Sequence, residues 1–294
     1  MYSLAIDIGG TFIKYAIIDE ENKIIKKWKK ESIKFDTKDQ FYNYLCQDIK
    51  TSSINFIGVS APGIIDKQSN VLSRAADNIC IMYKTNINEE IEKRLSKPTW
   101  TINDAKAAGL CEFKMGNSQK TSSSAYLLIG TGVGGCIYYG GTSLQGYNCL
   151  AGELSFLPFS IKEGKIISLS HYASMPALVD LYNQRNDTNQ LTYGHEVCSL
   201  YLQGHIQAVQ AVEEWCQNIV FVLNTLVICY DPEIICIGGG ISEEDWFIKK
   251  VKGLFIQSQS TRIQHLIKTR IDRCAFHNDA NLLGAVLYAK SKKR

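Results

Sequence analysis

The chain opens on two apolar runs joined by a pair of glycines. The runs Leu4 to Ile8 and Phe12 to Ile18 flank Gly9-Gly10, and a polar turn leads into a third run, Lys23 to Trp28. Apolar runs of this length, bounded by glycine or polar clusters, are typical of strands joined by tight turns. The pattern therefore predicts a β-meander and not a βαβ unit.

Helical and strand-like segments alternate after this meander. The apolar spacing predicts helices over 38–50 and 87–95, strands over 55–60 and 98–102, and an alanine-rich helix over 105–113. Because strands and helices alternate, we expect this half of the chain to be an α/β domain.

A polar run at 117–124 separates this half from a second one that begins in the same way. The apolar run 125–129, a glycine turn at 130–135 and the run 136–139 again indicate strand, turn and strand. The second half therefore resembles a diverged copy of the opening hairpin.

The remaining pattern sets the expected domain limits. A long apolar helix is predicted over 206–230 and a short buried strand over 233–237, which runs into three glycines. A last helix, 281–290, is broadly apolar, and we expect it to pack back onto the first domain. The predicted domains are 1–116, completed by the C-terminal helix 279–294, and 117–278.

Composition narrows the function classes. The chain has 294 residues, 45% of them hydrophobic, and its 32 basic and 29 acidic residues are mixed along it. No strongly basic face is expected, so nucleic-acid binding is not predicted. The start of the chain shows no basic leader and no long apolar stretch, which favours a cytoplasmic protein without a membrane partner. The ten cysteines are irregularly spaced, so we expect reduced, mostly buried thiols and not disulfides.

The glycine turn at 130–135 satisfies G-x-G-x-x-G, which alone is a weak dinucleotide-binding signal. A Rossmann fingerprint needs a helix directly after the glycines, whereas 136–139 is β-branched and aromatic. A glycine hairpin can still bind phosphate, because residues without Cβ let several backbone N–H groups approach one anion. Tight-turn geometry alone explains any single cluster equally well, but three clusters, each after an apolar strand, favour a polyphosphate site.

Two hairpins supply the candidate phosphate and metal groups. A carboxylate beside a phosphate cradle suits Mg²⁺, which takes one or two carboxylates plus waters and phosphate oxygens. The first hairpin offers Asp7, Gly9, Gly10, Thr11 and Lys14, and the second offers Gly130, Thr131, Gly132 and Gly134.

Six ordered motifs, spread over nearly the whole chain, resemble the ROK family. They are Asp7-Ile8-Gly9-Gly10-Thr11, Gly58-Val59-Ser60-Ala61-Pro62-Gly63, Asn103-Asp104-Ala105, Gly130 to Gly135, Ala151-Gly152-Glu153-Leu154 and Ile237-Gly238-Gly239-Gly240-Ile241. The resemblance implies an actin-like ATPase (ribonuclease H-like) fold with two domains around a central cleft, and ATP-dependent sugar phosphorylation.

The resemblance also assigns roles by position. Asp104 would be the base that takes the proton of a sugar hydroxyl, by implication the 6-hydroxyl. Asp7 would lie near Mg²⁺, through water, and the three glycine turns near ATP. The full assignment is Gly63, Asn103, Asp104 and Glu153 for the sugar, and Asp7, Gly9, Gly10, Thr11, Lys14, Gly130, Thr131, Gly132, Gly134, Gly238, Gly239 and Gly240 for ATP. For Asp104 alone, an ordinary helix N-cap is the commoner role.

The chain departs from the family after Glu153. Many ROK proteins continue with a histidine and a cysteine-rich segment that holds structural zinc, whereas here Leu154, Ser155 and Phe156 follow, with no cysteine between Cys149 and Cys198. We therefore expect no zinc. The chain resembles a zinc-less subgroup, as in β-glucoside kinases, and Phe156 would give a more apolar wall that tolerates a glycoside.

The sequence leaves alternative substrates and alternative functions open. Glucose and N-acetylmannosamine are the other candidate substrates. A sugar-sensing protein without catalysis would keep the fold and lose the chemistry, and a repressor would carry a helix-turn-helix before Asp7, which we do not expect here. A homodimer is compatible with the family resemblance, but the sequence reveals no interface.

Overall fold

The computed structural model of the chain describes residues 2–186 and 190–293. The chain divides into two compact units. Unit 1 comprises Met1–Met115, Gln145–Ala151 and Asn278–Arg294, and unit 2 comprises Gly116–Leu144 and Gly152–His277.

The segment Gln145–Ala151 differs from the expected domain limits, which placed all of 117–278 in the second domain. In unit 1, the Lys106 ammonium donates a hydrogen bond to the Cys149 carbonyl at 3.2 Å. Burial, and the Cys149 thiol nearby, raise the pKa of the Tyr288 phenol. The hydrogen bond from Lys106 holds the segment on unit 1, and no local sequence signal predicts it.

Unit 1 contains a five-stranded sheet in the order β3-β2-β1-β4-β5. The first three strands form the predicted antiparallel meander, and β4 and β5 continue it in parallel. Parallel register places Ser60 beside Asp7 and Asn103 beside Ala61, so these polar residues share the carboxyl edge of the sheet. The strands are β1 (Tyr2–Ile8), β2 (Phe12–Ile18), β3 (Ile24–Glu31), β4 (Ile54–Ala61) and β5 (Thr99–Asn103).

Helices complete unit 1: α1 (Lys38–Cys46), α2 (Ile87–Leu95), α3 (Asp104–Met115) and, from the end of the chain, α9 (Ala280–Lys292). The first of them is shorter than the predicted helix over 38–50, because Gln47 leaves helical geometry with ψ 139° and Asp48 follows with a left-handed φ of 65°. The last one packs closely on α3, where a Cβ added to Gly284 would overlap the Ala107 carbonyl oxygen. This close packing agrees with the expected return of the C-terminal helix.

Unit 2 repeats the strand arrangement of unit 1. Its sheet has the order β12-β11-β6-β7-β8, in which β6 and β7 are antiparallel and β6, β11 and β12 are parallel. The predicted second hairpin is therefore confirmed, and the two sheets share one order of meander and parallel strands. The strands are β6 (Ser123–Ile129), β7 (Val133–Tyr139), β8 (Thr142–Ser143), β11 (Ile234–Gly238) and β12 (Arg270–Arg273).

The other elements of unit 2 surround one long helix. Its core helix is Ile206–Tyr230, with the predicted bounds, and its apolar face is buried against this sheet. By length and composition alone this helix could also cross a membrane, a test that core helices of soluble proteins pass too. The remaining elements are β9 (Pro158–Lys162), β10 (Lys165–Ser168), α4 (Ser170–Ala173), α5 (Met175–Asn183), α6 (Gly194–Leu202), the core helix α7 and α8 (Asp245–Gln257).

Candidate functional site

Asp7 lies at the end of β1 with a carboxylate that neighbouring strands and a helix hold in place. Its side chain is buried, and Oδ1 accepts hydrogen bonds from Ser60 Oγ at 2.8 Å and from Asn281 Nδ2 at 3.0 Å. Lys14, its partner across the hairpin, places Nζ 3.6 Å from Oδ2. The carboxylate therefore has a fixed orientation and a cation beside it.

The first glycine turn, Gly9-Gly10-Thr11, joins β1 to β2 and begins two residues after Asp7. Ser32 Oγ donates to the Gly9 carbonyl at 2.5 Å. Asn78 Nδ2 donates to the carbonyls of Gly10 and, at 2.7 Å, of Ser32. Thr11 is exposed on the same turn. The turn carbonyls are thus bound to unit 1 itself, while the exposed Thr11 lies beside a small pocket that Gly10 and Asn78 also line.

Asn103 and Asp104 lie where β5 passes into α3, and both polar atoms of the Asn103 amide form hydrogen bonds there. Its Oδ1 accepts from the backbone N–H of Lys106 at 3.0 Å, which makes Asn103 the N-cap of the helix. Its Nδ2 donates to the Gly63 carbonyl and to Asp104 Oδ1, both at 2.9 Å. Asp104 Oδ1 also accepts from the Ala105 N–H at 2.7 Å. The capping role left open for Asp104 therefore belongs to Asn103.

Gly63 belongs to the turn that follows β4. It has φ 89°, a conformation that favours glycine, and the next residue, Ile64, donates its N–H to Ser73 Oγ at 2.8 Å. Its carbonyl is committed to Asn103. Gly63 therefore links this turn to the start of α3.

In unit 2 the other two glycine turns lie side by side at the carboxyl ends of β6 and β11. Gly238 pairs with Leu128 across the parallel strands. Gly239 has φ 91°, and a Cβ added there would overlap the Ile129 carbonyl oxygen, directly before Gly130. Only glycine allows this close approach of the two turns.

The remaining predicted residues of unit 2 occupy different kinds of position. Thr131 and Gly240 are exposed on their turns. The Gly132 carbonyl accepts a hydrogen bond from the Gly130 N–H at 2.9 Å and closes the turn after β6. Gly134 lies inside β7, not on the turn. Glu153 is half-buried and follows Gly152, which has φ 81°.

Asp7 is the residue of unit 1 that was predicted to lie near Mg²⁺. No group of three or more histidine, cysteine or acidic side chains that could hold a metal is found within residues 2–186 and 190–293. Magnesium bound to a nucleotide needs no such cluster, because one or two carboxylates suffice beside phosphate oxygens and waters. The buried, oriented carboxylate of Asp7 fits this requirement.

Three residues that support these groups were not assigned roles from the sequence. Ser60 and Asn281 orient the Asp7 carboxylate, and Asn78 ties the first glycine turn to the end of β3. Ser60 lies within a recognised motif, but Asn78 and Asn281 carry no local signal.

The ROK family profile matches residues 3–292 of the chain. The chain belongs to the ROK family. The two sheets of equal strand order and the three glycine turns are consistent with this family. The fold is the actin-like ATPase fold of ROK hexokinases.

Three proteins of known name or structure are similar to this ROK chain over nearly its whole length. The β-glucoside kinase of Listeria innocua is 28% identical over 97% of this chain and 96% of that protein. A ROK family protein from Streptococcus pneumoniae TIGR4, solved in complex with sucrose, is 25% identical with a TM-score of 0.88 over 100% of both chains. A ROK family glucokinase from Streptomyces griseus, solved with glucose and AMPPNP, is 24% identical with a TM-score of 0.81 over 99% of this chain and 100% of that one.

Proposed function

We infer that this chain is an ATP-dependent carbohydrate kinase, and we propose that it phosphorylates the 6-hydroxyl of a hexose or β-glucoside. Family membership and the β-glucoside kinase relative support the reaction class. The observation that carries the proposal is the fixed carboxylate of Asp104, which Asn103 and the helix backbone orient at the first turn of α3.

Asp104 acts as the base in this proposal. Its carboxylate accepts the proton of the attacking hydroxyl while that oxygen forms a bond to the γ-phosphorus and the bond to the β-phosphate oxygen breaks. The products are a sugar phosphate and ADP. Oδ1 is already held by two N–H donors, so little side-chain ordering is left for the reaction itself.

Asp7 and the glycine turns serve ATP. We assign Mg²⁺ to the Asp7 carboxylate, through water, and when bound it supplies neutralisation of charge on the phosphate oxygens. Lys14, 3.6 Å from Asp7 Oδ2, adds a second positive charge beside that position. Ser60 and Asn281 keep Oδ1 fixed, and so hold Oδ2 toward Lys14.

A β-glucoside is the preferred acceptor for two reasons. The Listeria innocua relative bears that name, and Phe156, which replaces the family histidine, exposes 62% of its surface in unit 2. An exposed phenyl ring can pack against an apolar part of the glycoside, whereas a histidine at this position would offer polar contacts. Glucose and N-acetylmannosamine remain the alternative acceptors, and Gly63 and Glu153 remain candidate sugar contacts.

A substrate panel tests the proposal. ADP release is measured with glucose, N-acetylmannosamine, cellobiose and gentiobiose, and the position of the new phosphate is read by NMR of the product. We expect turnover of the disaccharides with phosphate on carbon 6. Turnover of glucose with none of either disaccharide would reject the β-glucoside assignment and leave the kinase assignment standing.

A further inference from the structure

The segment Gln145–Ala151 is a folded loop with a fixed base. The Ala151 N–H donates to the Gln145 carbonyl at 3.1 Å and closes the loop. Cys149 is 5% exposed, and its carbonyl accepts from the ammonium of Lys106, itself 2% exposed. A buried ammonium is costly unless it is hydrogen-bonded, so this contact holds the loop firmly to α3.

The opposite side of the loop presents apolar surface to water. Tyr147 is 99% exposed and Leu150 is 53% exposed. A phenol ring that touches nothing in its own unit gains no packing energy there, whereas a ligand ring laid against it would bury apolar surface on both partners. The loop thus combines a fixed base with an unused aromatic face.

The base of the loop is bound to the helix that begins with the proposed catalytic residue, Asp104. Lys106 is the third residue of the helix that Asp104 begins, so the two backbones are about 3 Å apart along the helix axis. The Lys106 side chain then reaches Cys149, two residues from Tyr147. The exposed ring is therefore carried by a loop whose base is bound to the helix that Asp104 begins.

We propose that Tyr147 binds the second ring of a β-glucoside, the ring that is not phosphorylated. This inference rests on the proposed function. The reacting hexose presents hydroxyls that need polar partners, whereas the apolar face of a second pyranose or of an aryl aglycone stacks on an aromatic face. The Tyr147 hydroxyl adds one donor and acceptor for the hydroxyls of that ring.

Substrate ratios measure the contribution of this residue. Values of kcat/KM for glucose, cellobiose and phenyl β-glucoside are determined for the wild type, Tyr147→Ala, Tyr147→Phe and the control Tyr139→Ala, which removes another exposed tyrosine, 69% exposed, from β7. In Tyr147→Ala the loss for both glycosides should exceed the loss for glucose by about tenfold, the effect of one lost stacking contact. Tyr147→Phe should keep most of the preference, and Tyr139→Ala all of it.

Calorimetric titration with the same sugars separates binding from turnover. If the wild type phosphorylates glycosides but Tyr147→Ala lowers glucose and glycoside activity equally, or Tyr139→Ala gives the same ratio change, the inference is wrong and the proposed function stands. If no sugar is phosphorylated, the proposed function fails. In that case glycoside binding that weakens about tenfold in Tyr147→Ala still supports the role of Tyr147, and a wild type that binds no glycoside overturns it.

Discussion

Replacing Asn103 by aspartate tests the link between helix capping and the catalytic carboxylate. Aspartate keeps the side-chain oxygen that accepts the Lys106 N–H but removes the donors to the Gly63 carbonyl and to Asp104 Oδ1. It also puts a second carboxylate beside Asp104. A like charge at this distance disfavours ionisation of Asp104, so the base is protonated up to a higher pH.

The structure sets the magnitudes. Loss of two part-buried hydrogen bonds costs about 2 kcal/mol of unfolding free energy in Asn103→Asp, because each contributes about 1 kcal/mol. Asn103→Ala also loses the cap and should cost about 3 kcal/mol. We expect kcat of Asn103→Asp to fall on the order of tenfold to a hundredfold, as the base loses both its orientation and its charge.

Urea unfolding and the pH profile of kcat/KM are the assays. The acid limb of the Asn103→Asp profile should move to higher pH, because the reaction needs ionised Asp104. Asn86→Asp is the matched control: Asn86 caps α2 through Glu89 and donates Nδ2 to the Gln68 carbonyl. It should lose stability with no shift of the limb. An unmoved limb in Asn103→Asp, with a stability equal to that of Asn103→Ala, would refute this reasoning.

Three further predictions follow from packing and hydrogen bonding. Gly284→Ala should lower the free energy of unfolding in urea by about 3 kcal/mol, since the added Cβ meets the Ala107 carbonyl. The control Gly253→Ala in α8, where an added Cβ meets nothing, should raise it by about 0.5 kcal/mol. Equal effects of the two substitutions would contradict the described packing of α9 on α3. Ser60→Ala should raise the Mg²⁺ concentration for half-maximal activity about fivefold, and an unchanged value would argue against Asp7 as the metal carboxylate. A thiol reagent at pH 8 should modify Cys229 in a fast first phase, because Cys229 is exposed while burial raises the pKa of Cys46 and Cys198 to about 11. Cys229→Ser should lose this fast phase. A fast phase that persists in Cys229→Ser would contradict the assignment of Cys229 as the reactive thiol.

The sequence predicted those parts of the fold that local pattern encodes. The meander at the start, its repeat after residue 124 and the helix Ile206–Tyr230 all follow from apolar runs and their bounding glycines. The shorter α1 was not predicted, because its end depends on the extended backbone of Gln47 and the left-handed backbone of Asp48, whereas the apolar spacing continues beyond them.

The candidate site was predicted in its motifs but not in its supports. An aspartate after a strand fits either a cap or a base, and only the hydrogen bonds of Asn103 assign the cap. Asn281 reaches Asp7 across 274 residues of sequence, a contact that only the tertiary structure creates. The same holds for the Lys106 contact that draws Gln145–Ala151 into unit 1.

ADP release by Asp104→Asn tests the central claim most directly. Asparagine keeps the side-chain oxygen that accepts from Ala105, so the helix start and sugar binding should persist, which calorimetric titration checks. With any sugar that the wild type phosphorylates, kcat of the variant should fall at least about a hundredfold, the usual contribution of a general base. A variant that binds the sugar and releases ADP at the wild-type rate would contradict the assignment of Asp104 as the base.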